Sequence, residues 1–308
     1  MKIATNQYFM KLGRHLAEQQ ADIATLQAKL ATGDTMVTPG SEPRIAARSL
    51  ELNSIIEKQQ GFLDNLSRLD GRLMQEEGVV TTMRTLVTRM QELSIKASND
   101  TYSTSDRAAI AAEMQGYRDE ILALANTTDP DGNYLFAGIR NSTQPFVENK
   151  DGVVMYQGDQ TPTRIEVDLG HSLRINTTRD DLLPDLVRNA DDPNTRTNAS
   201  VFRAFDDLIA AIRTSDSAGV RRGLGELDKV ASNLDQYTVD IGLRRVIVES
   251  KTDITTDRKL AMTNLLKRER ELDYATAVTE LNSHMLALEA AQSTIAKISQ
   301  MTLFNYLR

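Results

Sequence analysis

The 308 residues contain no cysteine and no tryptophan. Without thiols there is no disulfide framework, no thiolate metal site and no cysteine nucleophile, and thiol usage says nothing about redox compartment. Basic residues are also in deficit. Lys and Arg number 36 against 43 Asp and Glu, a net charge of −7, so nucleic-acid phosphates are repelled and nucleic acid is not an expected partner. Apolar runs are short. No stretch reaches the roughly 18 uncharged apolar residues a membrane span needs, and Met1-Lys2-Ile3-Ala4-Thr5-Asn6 has no apolar signal core. Neither a membrane partner nor a cleaved secretory signal is expected.

Proline is scarce in an informative pattern. Its seven copies are Pro39, Pro43, Pro130, Pro145, Pro162, Pro184 and Pro193, leaving residues 44–129 and 194–308 with none. Proline removes a donor and clashes inside a helix, so its absence over such lengths marks long helices. Between them, five prolines and Gly132, Gly138, Gly152, Gly158 and Gly170 punctuate a segment whose apolar residues alternate. Ile165, Val167 and Leu169 share one face of a predicted strand, with Arg164, Glu166 and Asp168 on the other. Asp151-Gly152, between Phe146-Val147 and Val153-Val154-Met155-Tyr156, is a hairpin signal.

What is abundant is heptad spacing. Leu12, Leu16, Gln19, Ile23, Leu26 and Leu30 form one seam, stopping at Gly33, and Val278, Leu281, Met285, Leu288, Gln292 and Ile295 form another, continuing through Ile298. Three more lie between: Leu52 to Met90, Ile110 to Leu124, and Leu227 to Val248. Gly61, Gly71 and Gly78 each cost the first of these about 1 kcal/mol and predict a bend or break. The terminal seams are narrow. Ordering their backbone costs on the order of 1–2 kcal/mol per residue, so these segments are expected to become ordered by packing on each other and on neighbouring copies. The fold class is therefore mainly α: a long antiparallel coiled-coil or helical bundle of the N- and C-terminal regions with a small β-rich insertion. The expected domains are residues 1–40 with 274–308, 41–130 with 197–273, and 131–196.

No constellation for catalysis emerges. His15, His171 and His284 lie far apart, so no metal site is expected. Asp129-Pro130-Asp131-Gly132-Asn133 has its glycine misplaced for a calcium loop and reads as a turn. Gly223-Leu224-Gly225 lacks the third glycine and the preceding strand of a dinucleotide site. Adjacent acids such as Asp180-Asp181 and Asp206-Asp207 have no assignable acid and base roles. The expectation is a protein without enzyme activity or cofactor. The rival is a binding module or enzyme whose site lies in the insertion, with Tyr134, Phe136 and Tyr156 as a stacking surface.

Leu30-Ala31-Thr32-Gly33 followed by Ser41-Glu42-Pro43-Arg44-Ile45-Ala46-Ala47, and the end from Leu281-Asn282 through Leu286-Ala287-Leu288-Glu289-Ala290 to Leu307, resemble the axial proteins of the bacterial flagellum, the group of flagellin and the hook-associated proteins. Asp131-Gly132-Asn133-Tyr134-Leu135-Phe136-Ala137-Gly138, Thr143-Gln144-Pro145-Phe146 and Tyr156-Gln157-Gly158-Asp159 resemble the member at the hook-filament junction. The resemblance implies a structural adaptor whose terminal segments form the inner layer of a tube, with the next helices around it and the insertion outermost. The implied partners are hook-associated protein 1, flagellin, further copies in a ring, and an export chaperone on the C-terminal helix. It also implies an extracellular place in the flagellum, reached through the flagellar type III apparatus. The alternative within the family is a flagellin that builds the filament itself.

Overall fold

A computed structural model describes residues 2–99, 101–188 and 197–306, with side chains described at Gln7 and from Met10 to Lys297 within those ranges. Its elements run α1 (Lys2–Thr32), α2 (Pro43–Ala97), α3 (Thr104–Ala125), β1 (Phe146–Glu148), β2 (Val154–Tyr156), β3 (Arg164–Asp168), β4 (His171–Arg174), α4 (Arg179–Leu182), β5 (Leu186–Arg188), β6 (Thr197–Ala199), α5 (Val201–Arg213), α6 (Ser217–Arg270) and α7 (Tyr274–Tyr306). Contacts divide them into two compact units, residues 1–59 with 257–308, and residues 60–256.

In the second unit, α2 and α6 run antiparallel, tied by Arg245 to Asp70 (3.2 Å) and Glu77 (2.8 Å) and by Arg84 to Asp235 (2.8 Å). Helix α2 passes Gly61, Gly71 and Gly78 without a break, so the expected interruption does not occur: Leu66, Leu69, Leu73, Val80, Met83, Val87 and Met90 are all buried in one core. That core outweighs the helical cost of three glycines. Ser103 opens α3 with a capping box to Asp106. Its inner row, Ile110, Met114 and Ile121, meets Phe202, Phe205 and Ile209 of α5 and Leu227, Val230 and Leu234 of α6 in the same core.

Among the described residues the β-rich region holds three two-stranded antiparallel sheets beside the short α4. Phe146 pairs with Tyr156 across the hairpin predicted at Asp151-Gly152, and Gly152 adopts φ +79°. In β3 the alternation fails after Val167. A register shift between Glu166 and Asp168 turns the Asp168 carboxylate inward, where Lys251 Nζ lies 3.2 Å away, and leaves Leu169 68% exposed. An irregularity of one residue inverts every side chain beyond it, which strict period-two reading cannot anticipate.

Candidate functional site: the terminal helix pair

In the first unit, α1 and α7 pack against each other. Their direction follows from two contacts: Leu272 N–H donates to Gly33 O (3.1 Å) at one end, and His284 Nδ1 lies 3.1 Å from Gln19 Oε1. As numbers fall along α1 they rise along α7, so the pair is antiparallel. On α1 the six expected seam residues, Leu12, Leu16, Gln19, Ile23, Leu26 and Leu30, are all half-buried between exposed neighbours.

On α7 only half of the expected row faces inward. Leu281, Leu288 and Ile295 are half-buried, but the positions between them belong to Ala277, His284 and Ala291. Val278 and Met285 remain 45% and 50% exposed, Gln292 is exposed, and the Ile298 side chain lies outside the described residues. The reason is steric. The large Leu and Ile side chains of α1 leave room opposite for alanine and imidazole, whereas a sequence reading favours the bulkier apolar residue one position later. Helix α7 thus has two apolar rows. One covers α1; the other, Val278 and Met285 with Leu286 at 69% exposure, has no partner among the described residues. Gln19 and His284, the polar members of the two seams, meet each other. Of the flanking charges, Lys29 pairs with Glu42 (3.4 Å) and Glu18 with His15 (3.3 Å).

The pair is clasped where both chains leave it. Thr35 N–H donates to Arg270 O (2.8 Å), and Arg270 forms an ion pair with Asp34. Burial of Asp34 opposes ionisation, but the Arg270 and Met36 hydrogen bonds overcome it and hold the carboxyl below its usual range. Gly33 closes α1 at φ +70°, and a Cβ there lies 2.7 Å from Tyr274 Oη. Gly33→Ala is expected to destabilise the α1–α7 pair by about 1–2 kcal/mol, read as earlier loss of helix signal on heating; Gly33→Ala with Tyr274→Phe recovers only the contact and not the backbone strain.

A second constellation fastens the insertion to the helices, and sequence reading passed over Arg72, Glu76, Arg118 and Thr177 in it. Glu76 occupies the heptad position between Leu73 and Val80, 1% exposed. Its Oε2 accepts from Thr177 Oγ1 (2.8 Å) and Tyr237 Oη (2.7 Å), and Oε1 from Arg72 Nε (3.1 Å). Arg72 also donates to Leu135 O (2.6 Å), so one turn of α2 grips the insertion both at Leu135, near its start, and at Thr177, after β4. Burial raises the Glu76 carboxyl above its ordinary value despite these donors, and burial with the neighbouring Glu76 raises the Tyr237 phenol well above its own. Arg118, 1% exposed, reaches Asp206 (3.0 Å) and Glu148 (2.8 Å) and lies over the Phe202 ring. The signal in the sequence was the gap in the α2 row at 76; on α3 the apolar spacing selects Tyr117, and it is the neighbouring Arg118 that is buried instead.

The aromatic motifs belong to this anchor. Phe136 is fully buried. Tyr156 Oη donates to Phe136 O (3.0 Å), and Gly138, at φ +66°, passes so close to the Asp159 carbonyl that an added Cβ overlaps it. Asp159 N–H donates to Ala137 O (3.0 Å). Phe136 is thus taken up in the core, and the half-buried Tyr156 ring is covered by the Arg179 guanidinium, 5.8 Å from its centroid. Among the described residues no group of histidines and acids is arranged to hold a metal, and no helix is long and apolar enough to cross a membrane.

Comparison with known proteins meets this geometry at both ends of the chain. Residues 3–141 match the bacterial flagellin N-terminal helical region. That match takes in α1, α2 and α3 and ends before β1. From end to end the chain is similar to flagellar hook-associated protein 3 of Escherichia coli, 27% identical over 99% of both chains, and to its namesake in Salmonella typhimurium, 24% identical over 100% of both. The crystal structure of flagellar hook associated protein-3 from Legionella pneumophila shares the fold, with a TM-score of 0.63 at 18% identity over 70% of this chain and 97% of that one.

Proposed function

We propose that this protein is the hook-filament junction component of a bacterial flagellum: a structural, non-enzymatic adaptor that joins the hook, through hook-associated protein 1, to the flagellin filament. The observation that carries this reading is the similarity to hook-associated protein 3 from end to end, insertion included. The uncovered row on α7 supplies the physical counterpart. An exposed apolar row on a helix already paired on its other side is what stacked copies need to bury.

In this reading residues 1–40 and 274–308 form the inner layer of a ring of copies, residues 41–130 and 197–273 surround it, and residues 131–196 face outward. The chain leaves the cell through the flagellar type III apparatus, its C-terminal helix held until then by a chaperone of the hook-associated proteins. Deleting the gene tests the role. Cells are expected to keep hooks, lose filaments and shed flagellin monomers; normal filaments in the mutant would refute the junction role. The flagellin-type match over residues 3–141 favours a second reading, filament subunit, whose mark is purified protein lengthening into filaments without a seed.

A further inference from the structure

Helix α6 has two apolar faces, and only one is used. Leu227, Val230, Leu234, Tyr237, Ile241 and Val248 are buried in the core. Opposite them Val239, Leu243 and Val246 are 63%, 61% and 63% exposed, with Ile247 and Ile254 at 44% and 41%. Spacings of four and three make this a second seam about 22 Å long at 1.5 Å per residue. Such a ridge on a soluble helix marks a contact surface.

The same unit carries the matching shape on α2. Its outward face reads Ser67, Gly71, Met74, Gly78, Thr82 and Thr85, all exposed, with the unbranched, adaptable Met74 at 54% exposure between two glycines at which an added Cβ would meet nothing within 4 Å. Glycine weakens a helix interior, and here nothing in the chain's own packing requires it; the close approach of a second helix is one thing that would. Arg245 bonds Asp70 and Glu77, which places the ridge and the glycine face at the same height on antiparallel helices. Copies lying side by side in one orientation therefore bring α6 of one against α2 of the next, antiparallel. The charges agree with that direction. Glu249 and Asp253, exposed beside the end of the ridge, carry no ion pair among the described residues, and at that height α2 presents the exposed Arg68.

We infer that Val239, Leu243, Val246 and Ile247 of one copy pack on the Gly71–Gly78 face of α2 in the next. The two surfaces differ, so the contact is heterologous and propagates from copy to copy. The inference rests on the assembly reading above and names a face that reading does not. The absence of native cysteine allows a clean test. Chains carrying Leu243→Cys alone and Gly78→Cys alone, mixed and oxidised at concentrations where the protein self-associates, are expected to give mostly the mixed dimer. Gly71→Leu with Gly78→Leu is expected to raise the melting temperature of the monomer while weakening self-association at least tenfold, opposite signs that a merely structural role does not produce. Glu249→Arg and Arg68→Glu should each weaken association and together restore it. Mixed dimers no more frequent than homodimers, or Leu variants that associate like the native chain, would overturn the interface. If the Leu243→Cys and Gly78→Cys chains still restore filaments to a deletion strain yet never join, the contact is wrong and the junction role stands.

Discussion

Glu76→Ala is expected to cost about 3–5 kcal/mol, the loss typical of removing one partner from a buried charged network. The carboxylate satisfies Arg72, Thr177 and Tyr237 at once, and a methyl group removes that shared acceptor in a site closed to water, leaving the Thr177 and Tyr237 hydroxyls only each other at 2.6 Å and Arg72 only the Leu135 carbonyl. Chemical denaturation measures the loss, and hydrogen exchange locates it, with protection falling first around 135–138 and 174–178. Glu76→Gln keeps an acceptor and the shape, so its cost should be much smaller. The two variants also separate on pH. Burial raises the folded carboxyl above its ordinary value of 4.5, so the folded state binds the proton more tightly than the unfolded chain does. The contribution of this group is thus fully present below 4.5 and is lost as pH rises through the raised value. Stability of the Gln variant relative to the native protein should therefore grow as pH climbs from 4.5 and then level off. A difference that stays flat with pH would show that Glu76 does not titrate as its burial requires.

Met285→Lys with Val278→Lys is expected to abolish filament formation in cells while changing the monomer's stability by less than about 0.5 kcal/mol, the range of surface substitutions. About half of each side chain is in solvent, so the fold does not need them; the assembly proposed above does. Leu281→Lys and Leu288→Lys, one face around on the same helix, should instead unfold the α1–α7 pair in the monomer. Counting filaments, with circular dichroism of the purified chains, distinguishes the two rows. Filaments of normal number from the Met285 and Val278 variant would remove the α7 row from the assembly surface.

All six seam residues of α1 are half-buried while those of α7 are so only in part, and the cause is the same rule met twice. A heptad pattern identifies an apolar side of a helix, but where that side is wider than one neighbour it does not say which row the neighbour takes. Val278 and Ala277 are adjacent, and hydrophobicity selects valine; the volume of Leu26 and its companions selects alanine. In α2 the pattern was followed across position 76 as a gap, because a carboxylate at a core position has no apolar signature. Its partners, Thr177 and Tyr237, lie 101 and 161 residues away, a separation no local window spans. Lys251 likewise finds Asp168 only because a register shift in β3 reverses that side chain.

By itself the amino-acid sequence determined the division into helical ends and a β-containing middle, the antiparallel helical class, the hairpin at Gly152 and the absence of a disulfide framework. Each of these is set by local sterics or by a period along one chain. Tertiary structure alone decided which of two apolar rows on α6 and α7 is buried, why Gly33 and Gly138 must lack a Cβ, and how a carboxylate comes to stand in the core. Those outcomes depend on the volume and polarity of whatever arrives from another part of the chain, and that is fixed only when the helices are in place.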